Sequence, residues 1–297
     1  MRGLPLLLFC LLALTWGTTW LALRVVAREM PPFSAAAVRF LLAALLLAIY
    51  ARLAGLRLTS IPAGRRASLA ALALTMIGIP YALVFYAGGL ISSALMAIVF
   101  AFHPVCTHVL NSWRSRRSIF DALTLAGLST STAGLWVIFS PQLNGPAEEL
   151  RGMVAVLGAA LISSWAVVEA KFSLAAIHPV VATTWQFAGG GLFLVLLAAP
   201  LERPTPGPYS SQAWLAFAYL TLMGSCLGFV LFFRLLKDLT PIQASSLSFL
   251  TPVVAVIAGW LILDEVLGLR TLVGAGMVLT GLVLIHRPVP APAPAGD

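Results

Sequence analysis

Residues 249–265 read "FLTPVVAVIAGWLILDE", an apolar run with Pro252 inside it and two carboxylates at its end. Proline lacks the backbone N–H and clashes with the carbonyl four residues back, which costs about 3 kcal/mol in the interior of a helix in water. Inside a membrane the freed backbone groups find partners on neighbouring helices or in trapped water, so prolines recur there. Whether this stretch is such a helix depends on the rest of the chain.

Of the 297 residues, 60% are hydrophobic and only 9% are charged. A soluble domain has about 25% charged residues, and a chain this size could not cover a water-facing surface with so few. The apolar residues also fall in blocks that repeatedly reach the roughly 20 residues a helix needs to cross the hydrocarbon core. The fold class is therefore an all-α polytopic membrane protein. The net charge of +8 comes from Lys and Arg between the apolar blocks, where they orient spans and meet headgroups; this is not the pattern of a nucleic-acid binder. Cys10, Cys106 and Cys226 lie far apart within apolar blocks and read as small buried hydrophobes. The N-terminal apolar run is longer than a typical signal-peptide core and no small-residue cleavage site follows it, so it reads as an uncleaved first span.

Length and breakers place ten spans, at about 4–24, 33–52, 68–88, 91–111, 121–139, 152–172, 179–199, 213–234, 241–263 and 270–286. The breakers are "MPP" (30–32), "GGLISS" (88–93), "SPQLNGPAEE" (140–149) and "PTPGPYSS" (204–211). The proline-alternating tail 288–297 reads as extended and disordered. Counted over alternate loops, twelve Lys and Arg lie on one side and five on the other, with Arg39 left inside a span. The positive-inside rule then puts both termini in the cytoplasm, as an even number of spans requires.

The second half repeats the first. Pro104 in "AFHPVCTHV" precedes Pro252 by 148 residues, Trp16 precedes Trp165 by 149, and "RF" (39–40) precedes "QF" (186–187) by 147. "FY" (85–86) with "FF" (232–233) and "GLSTSTAG" (127–134) with "GAGMVLTG" (274–281) also differ by 147. Five landmarks in one order and near one offset indicate a duplication. Each half holds an odd number of spans, so the second copy enters the membrane inverted. The expected domains are a first five-helix repeat at 1–140, an external linker at 141–151 and a second repeat at 152–287. Inverted repeats place a binding site near the midplane between the halves. Pro104 and Pro252 would then sit at related depths, each freeing a carbonyl that lines a cavity or serves a hinge, or else making a tolerated kink.

The stretches "ALTWGTTWLALR", "PPFSAAAVRFLLAALLL" and "ASSLSFLTPVVAVIAGWLILDE" followed by "VGAGMVLTGLVLI" resemble EamA-type transporters of the drug/metabolite transporter superfamily over residues 10–286. The resemblance implies ten helices in two inverted five-helix repeats and transport, mostly export, of amino acids, metabolites or drugs. One departure stands out. The first repeat usually ends its fourth helix on an acidic residue, as Asp264–Glu265 end the ninth here, but this chain reads "NSWRSRR" at that place.

Several residues are candidates for the site. Two roles fit the intramembrane Arg39: a cavity cation for a substrate carboxylate, or a pin to carbonyls of a neighbouring helix. The resemblance favours the pin, and Gln186, its repeat mate, leans the same way. Trp16 and Trp165 fall near the expected midplane, where an indole N–H needs a partner; with Thr19, Tyr81, Phe85 and Tyr86 they would form an aromatic wall. Glu169 is either a proton carrier or a partner of Lys171 or the headgroups. His103 either titrates or holds a free carbonyl as neutral imidazole. Gly127, Gly134, Gly274, Gly276 and Gly281 are read as helix-packing sites in the fifth and tenth spans.

No protease, phosphate-loop or nucleophile-elbow motif is present, and no metal or cofactor site is expected. The expected function is secondary transport of small organic solutes by alternating access in the cell (inner) membrane, with a small molecule and the lipid bilayer as partners. The proton is the candidate coupling ion, and the oligomeric state is monomer or homodimer. The rival reading is a passive channel or a membrane sensor built on the same bundle.

Overall fold

The computed structural model describes residues 4–115, 122–140, 146–203, 208–239, 244 and 247–285. The tail 288–297 and the first five residues of the expected linker, 141–145, lie outside the described residues. Ten helices run through the described residues. In the first half they are α1 (Leu4–Glu29), α2 (Pro32–Leu53), α3 (Ala63–Gly88), α4 (Ser93–Ser115) and α5 (Ala122–Phe139). The second half has α6 (Ala147–Ser173), α7 (Pro179–Leu201), α8 (Ser211–Asp238), α9 (Leu247–Leu263) and α10 (Leu269–Ile285). Seven are long and apolar enough to cross a membrane unaided, while α5, α9 and α10 are apolar but shorter. Large side chains such as Leu53, Leu196, Leu215, Trp136 and Trp260 are exposed. Around a polytopic bundle this is the surface that lipid covers.

Two helices are irregular at matching places. The backbone of α3 widens into a π-helix over Ala73–Gly78, and that of α8 does so over Leu220–Leu227. The first stretch begins 147 residues before the second, the offset of the repeat. The two prolines behave differently. Before Pro104, α4 breaks at Ala101–Phe102 into Ser93–Phe100 and His103–Ser115, whereas α9 carries Pro252 within one unbroken helix. The symmetry of the kinks expected from sequence therefore does not hold.

α5 and α10 pack antiparallel along a glycine seam. A Cβ at Gly134 would stand 2.6 Å from the Gly274 carbonyl oxygen, and one at Gly281 would stand 2.4 Å from that of Gly127. Between them Ser131 Oγ donates to the carbonyl of Val278, its own mate 147 residues on, at 3.2 Å. Gly276 faces open space instead. Of the cysteines, Cys106 is buried and Cys226 half-buried, but Cys10 is exposed, contrary to the sequence expectation, because its side of α1 faces outward.

The close of α9 explains the two carboxylates of the opening stretch. Asp264 has φ 53°, a left-handed conformation that Asp tolerates better than most residues. The Glu265 N–H then reaches back six residues to the Gly259 carbonyl at 3.1 Å, satisfying one of the carbonyls left open at the helix end. Asp264 ends the helix and Glu265 is turned inward.

Candidate functional site

A cavity of about 120 Å³ lies between the two halves, room for several waters at roughly 30 Å³ each. From the first half, α1 lines it with Trp16, Thr19, Trp20 and Leu23, and α2 with Arg39. Met76, Pro80, Tyr81 and Val84 come from α3, and Phe100 and His103 from the break in α4. The second half adds Ser163 and Val167 of α6, Gly224, Phe229 and Phe232 of α8, Ala244, and Leu247 and Thr251 of α9. Both helices that carry π-helical stretches line it, at Met76 and at Gly224. Such bulges widen a helix locally and are frequent at functional sites.

Five of the sequence candidates meet here: Trp16, Thr19, Arg39, Tyr81 and His103. Trp16, midway along α1, donates from Nε1 to the Gly224 carbonyl at 3.2 Å and leans on Phe229 and Phe232 at 5.4 and 5.2 Å between ring centroids. Arg39 is buried; its Nε donates to Ser225 Oγ at 2.8 Å, and its guanidinium lies 4.8, 5.2 and 5.9 Å from the ring centroids of Phe40, Tyr81 and Phe85. No pin to backbone carbonyls is present among its hydrogen bonds to described residues. His103 stacks on Phe100 at 5.3 Å with 8° between the planes.

The other candidates lie elsewhere. Trp165 is 41% exposed. α6 begins at Ala147, five residues before the expected start, so Trp165 sits toward its far end rather than at mid-depth. It is also two positions from both Ser163 and Val167, about 200° around a helix of 3.6 residues per turn. The true mate of Trp16 at the 147 offset is Ser163, and that residue does line the cavity. Trp20 with Val167 and Phe100 with Leu247 keep the same offset and also line it. Phe85 is buried beside Arg39 but does not line the cavity, and Tyr86 is exposed, because α3 turns Tyr81 and Val84 inward. Glu169 accepts from Ser173 Oγ within its own helix and neither lines the cavity nor pairs with Lys171. The Lys171 ammonium instead donates to the carbonyls of Leu236 and Lys237 at 2.7 and 2.8 Å, at the end of α8. Gln186 is fully buried off the cavity, and its amide has no hydrogen-bond partner among the described residues.

Sequence reasoning missed three carboxylate contacts at one end of the bundle, each crossing between the halves. Glu29 accepts from the backbone N–H and hydroxyl of Ser210 at 2.9 and 2.7 Å, just before α8 begins. Glu202 accepts from the N–H groups of Phe33 and Ser34, both at 2.7 Å, at the start of α2. Glu265 does the same at the start of α4: it accepts from Ser93 N at 3.0 Å, Ser93 Oγ at 2.7 Å and Ala94 N at 3.3 Å, and pairs with Arg24 Nε at 3.1 Å. The unpaired N–H groups and dipole of a helix start favour a carboxylate there. Gly259 makes room for the third contact, since a Cβ on it would stand 2.5 Å from Glu265 Oε2. Leu23, the cavity residue nearest this end on α1, adjoins Arg24, while Ala244 brings the lining to the α8–α9 connection.

Comparison with known proteins gives a consistent picture. The sequence model of the EamA-like transporter family matches residues 3–140 and again residues 150–287. The chain is 30% identical over 251 residues to Protein PagO of Salmonella typhimurium, an alignment spanning 84% of this chain and 82% of that one. It is 28% identical to a WAT1-related chloroplastic protein of Arabidopsis thaliana, over 92% of this chain and 67% of the relative, and 25% identical to Protein PecM of Dickeya dadantii, over 91% and 88%. A solved crystal structure superposes with a TM-score of 0.71 at 18% identity, covering 96% of this chain and 97% of the other, which speaks to the fold alone.

Proposed function

The chain belongs to the EamA-like transporter family, and from that premise we propose a secondary carrier that exports small organic solutes by alternating access, with the central cavity as its substrate site. The observation that carries this reading is the cavity itself, walled by residues of both halves and bounded at one end by three carboxylates that tie one half to the other. A carrier needs a site that the two halves share and a closure that can be undone from one side.

Three further elements belong to this reading. The halves are 1–140 and 152–287, joined by the 141–151 linker. In this reading the protein lies in a cell (inner) membrane with both termini in the cytoplasm, an orientation that the charge count supports. The carboxylate contacts then close the outer end, while the lining reaches the inner end at Ala244. A solute or ion gradient, with the proton as the expected ion, drives the cycle.

The test is reconstitution in liposomes with a panel of labelled metabolites, with and without an imposed proton gradient. Saturable uptake that accelerates when unlabelled solute is loaded on the opposite side supports the carrier. A steady ion conductance without such exchange refutes it. Orientation is tested by single cysteines on a cysteine-free background: Glu148→Cys should react with an impermeant thiol reagent in whole cells, and Arg57→Cys should not.

A further inference from the structure

The cavity contains a charge with nothing opposite it. Arg39 is 2% exposed, and a guanidinium remains ionised in any protein setting. Its surroundings satisfy it only in part. Nε has the Ser225 hydroxyl, the Tyr81 side chain hydrogen-bonds the guanidinium, the ring face of Phe40 lies alongside, and Nη1 has no hydrogen-bond partner among the described residues. No Asp or Glu among the described residues lines the cavity. The ion pairs among the described residues, Arg24 with Glu265 and Arg234 with Asp238, lie elsewhere. An ionised group taken out of water without a counter-charge is costly, and neutral donors and rings offset only part of that cost.

One feature keeps the charge approachable. Gly224, which also lines the cavity, leaves the side of the guanidinium open; a Cβ there would stand 3.3 Å from Nη2 and 2.8 Å from Thr19 Cγ2. His103 lines the same cavity at 5% exposure, but its ring N–H is held by the Ser163 backbone, so the free Nδ1 is an acceptor and the anion's donor is Arg39 alone. A guanidinium presents a planar fork of N–H donors suited to a carboxylate. Apart from the hydroxyls of Thr19, Tyr81, Ser163 and Thr251, the remaining walls are apolar or aromatic, and among the described residues nothing there bears a negative charge to meet an ammonium group.

We propose that the cavity selects amphipathic monocarboxylates, the carboxylate on Arg39 and the apolar body against Trp16, Phe100 and Phe229. The inference rests on the reading of the cavity as the substrate site and narrows it. Single anions with a hydrophobic body fit, whereas cations and zwitterions leave their ammonium unpaired.

The test uses the purified full chain in detergent and four probes of similar size: phenylacetate, phenylacetamide, 2-phenylethylamine and phenylalanine, titrated at pH 7 by thermal shift. Phenylacetate should bind at least about tenfold more tightly than its amide, as charge-assisted hydrogen bonds to a guanidinium lead one to expect; the amine should bind weakest, and phenylalanine no better than the amide. Arg39→Lys should keep the preference for acid over amide, and Arg39→Gln should bring the ratio close to one. The wild-type series decides the matter alone if Arg39→Gln does not fold. An acid that binds no better than its amide, a preference that survives Arg39→Gln, or no binding by any probe overturns the proposal. Val167→Trp fills the cavity: binding that survives it removes the cavity as the substrate site, whatever the charge preference.

Discussion

Arg24 and Glu265, which lie 241 positions apart in the chain, meet at 3.1 Å with side chains only 12% and 9% exposed. The carboxylate simultaneously holds the first two N–H groups of α4. One side chain therefore ties α1, α4 and the end of α9 at a single point. Glu265→Gln removes the charge and strands Arg24, and breaking a largely buried pair from one side costs about 3–5 kcal/mol, less where water reaches it. The expected result is a lower melting midpoint and, in a cysteine-free background, faster labelling of Thr251→Cys by an impermeant reagent from the Glu265 end. Unchanged labelling would show that this contact does not close the cavity.

The two tryptophans should now part company. Trp16→Ala should weaken solute binding by about 1–3 kcal/mol, the cost of losing a buried aromatic anchor. Trp165→Ala, on the lipid-facing side, should leave binding within about twofold. Trp16→Phe should fall between wild type and Ala, since it keeps the ring contacts with Phe229 and Phe232 but leaves the Gly224 carbonyl without its donor. Titration of one transported solute against the three variants ranks them, and a larger loss at Trp165 contradicts the geometry.

The glycine seam supplies an internal control. Gly134→Ala places a methyl group 2.6 Å from the Gly274 oxygen, so the helices must separate, at a cost of about 1–3 kcal/mol as for overpacked cores. Gly276→Ala meets nothing within 4 Å and should be neutral. Thermal melts of the two variants side by side should differ by several degrees, with only Gly134→Ala lowered.

His178, just ahead of α7, accepts from the Val180 N–H at Nδ1, 3.3 Å away. Partial burial, and then the Lys237 ammonium, hold its pKa below the usual 6.5. The unfolded chain therefore binds this proton more readily than the folded one. The contribution of the neutral ring is present above pH 6.5 and is lost as pH falls from there through the folded value. His178→Asn keeps an acceptor at the helix start and does not titrate, so its melting midpoint should fall less steeply between pH 7 and pH 5. Parallel curves for the two proteins would place the pH response elsewhere.

What the sequence made legible follows from what lipid demands. Runs of about 20 apolar residues reveal spans because every backbone group crossing a bilayer must be paired within its helix, and the seam glycines stood out by their spacing. Rotation about a helix axis was harder to read. A slip from 147 to 149 residues joined Trp16 to Trp165 rather than to Ser163, and two residues turn a helix almost half way round. The π-helical stretches left no mark because "ALTMIG" and "LTLMGSCL" have nothing in composition that separates them from the α-helix around them. The carboxylate contacts were hidden for another reason. Glu202 and Glu265 lie in loops where any acidic residue reads as solvated, and their partners, Phe33, Ser34, Ser93 and Ala94, contribute backbone N–H groups that carry no residue signature.

The seam between α5 and α10 also bears on how such a molecule can come about. Gly134 meets Gly274 and Gly127 meets Gly281; Gly274 is the mate of Gly127, and Gly281 the mate of Gly134. Position x of one half touches position y of the other, y touches x, and Ser131 midway touches its own counterpart. That reciprocity is the signature of an isologous interface, the kind two identical subunits form about a two-fold axis. The surface is thus complementary to itself as well as to its neighbour. A half-length chain inserted in both orientations would already carry the contact needed to pair with its own inverted copy, and fusing the two genes would add a linker without requiring a new interface.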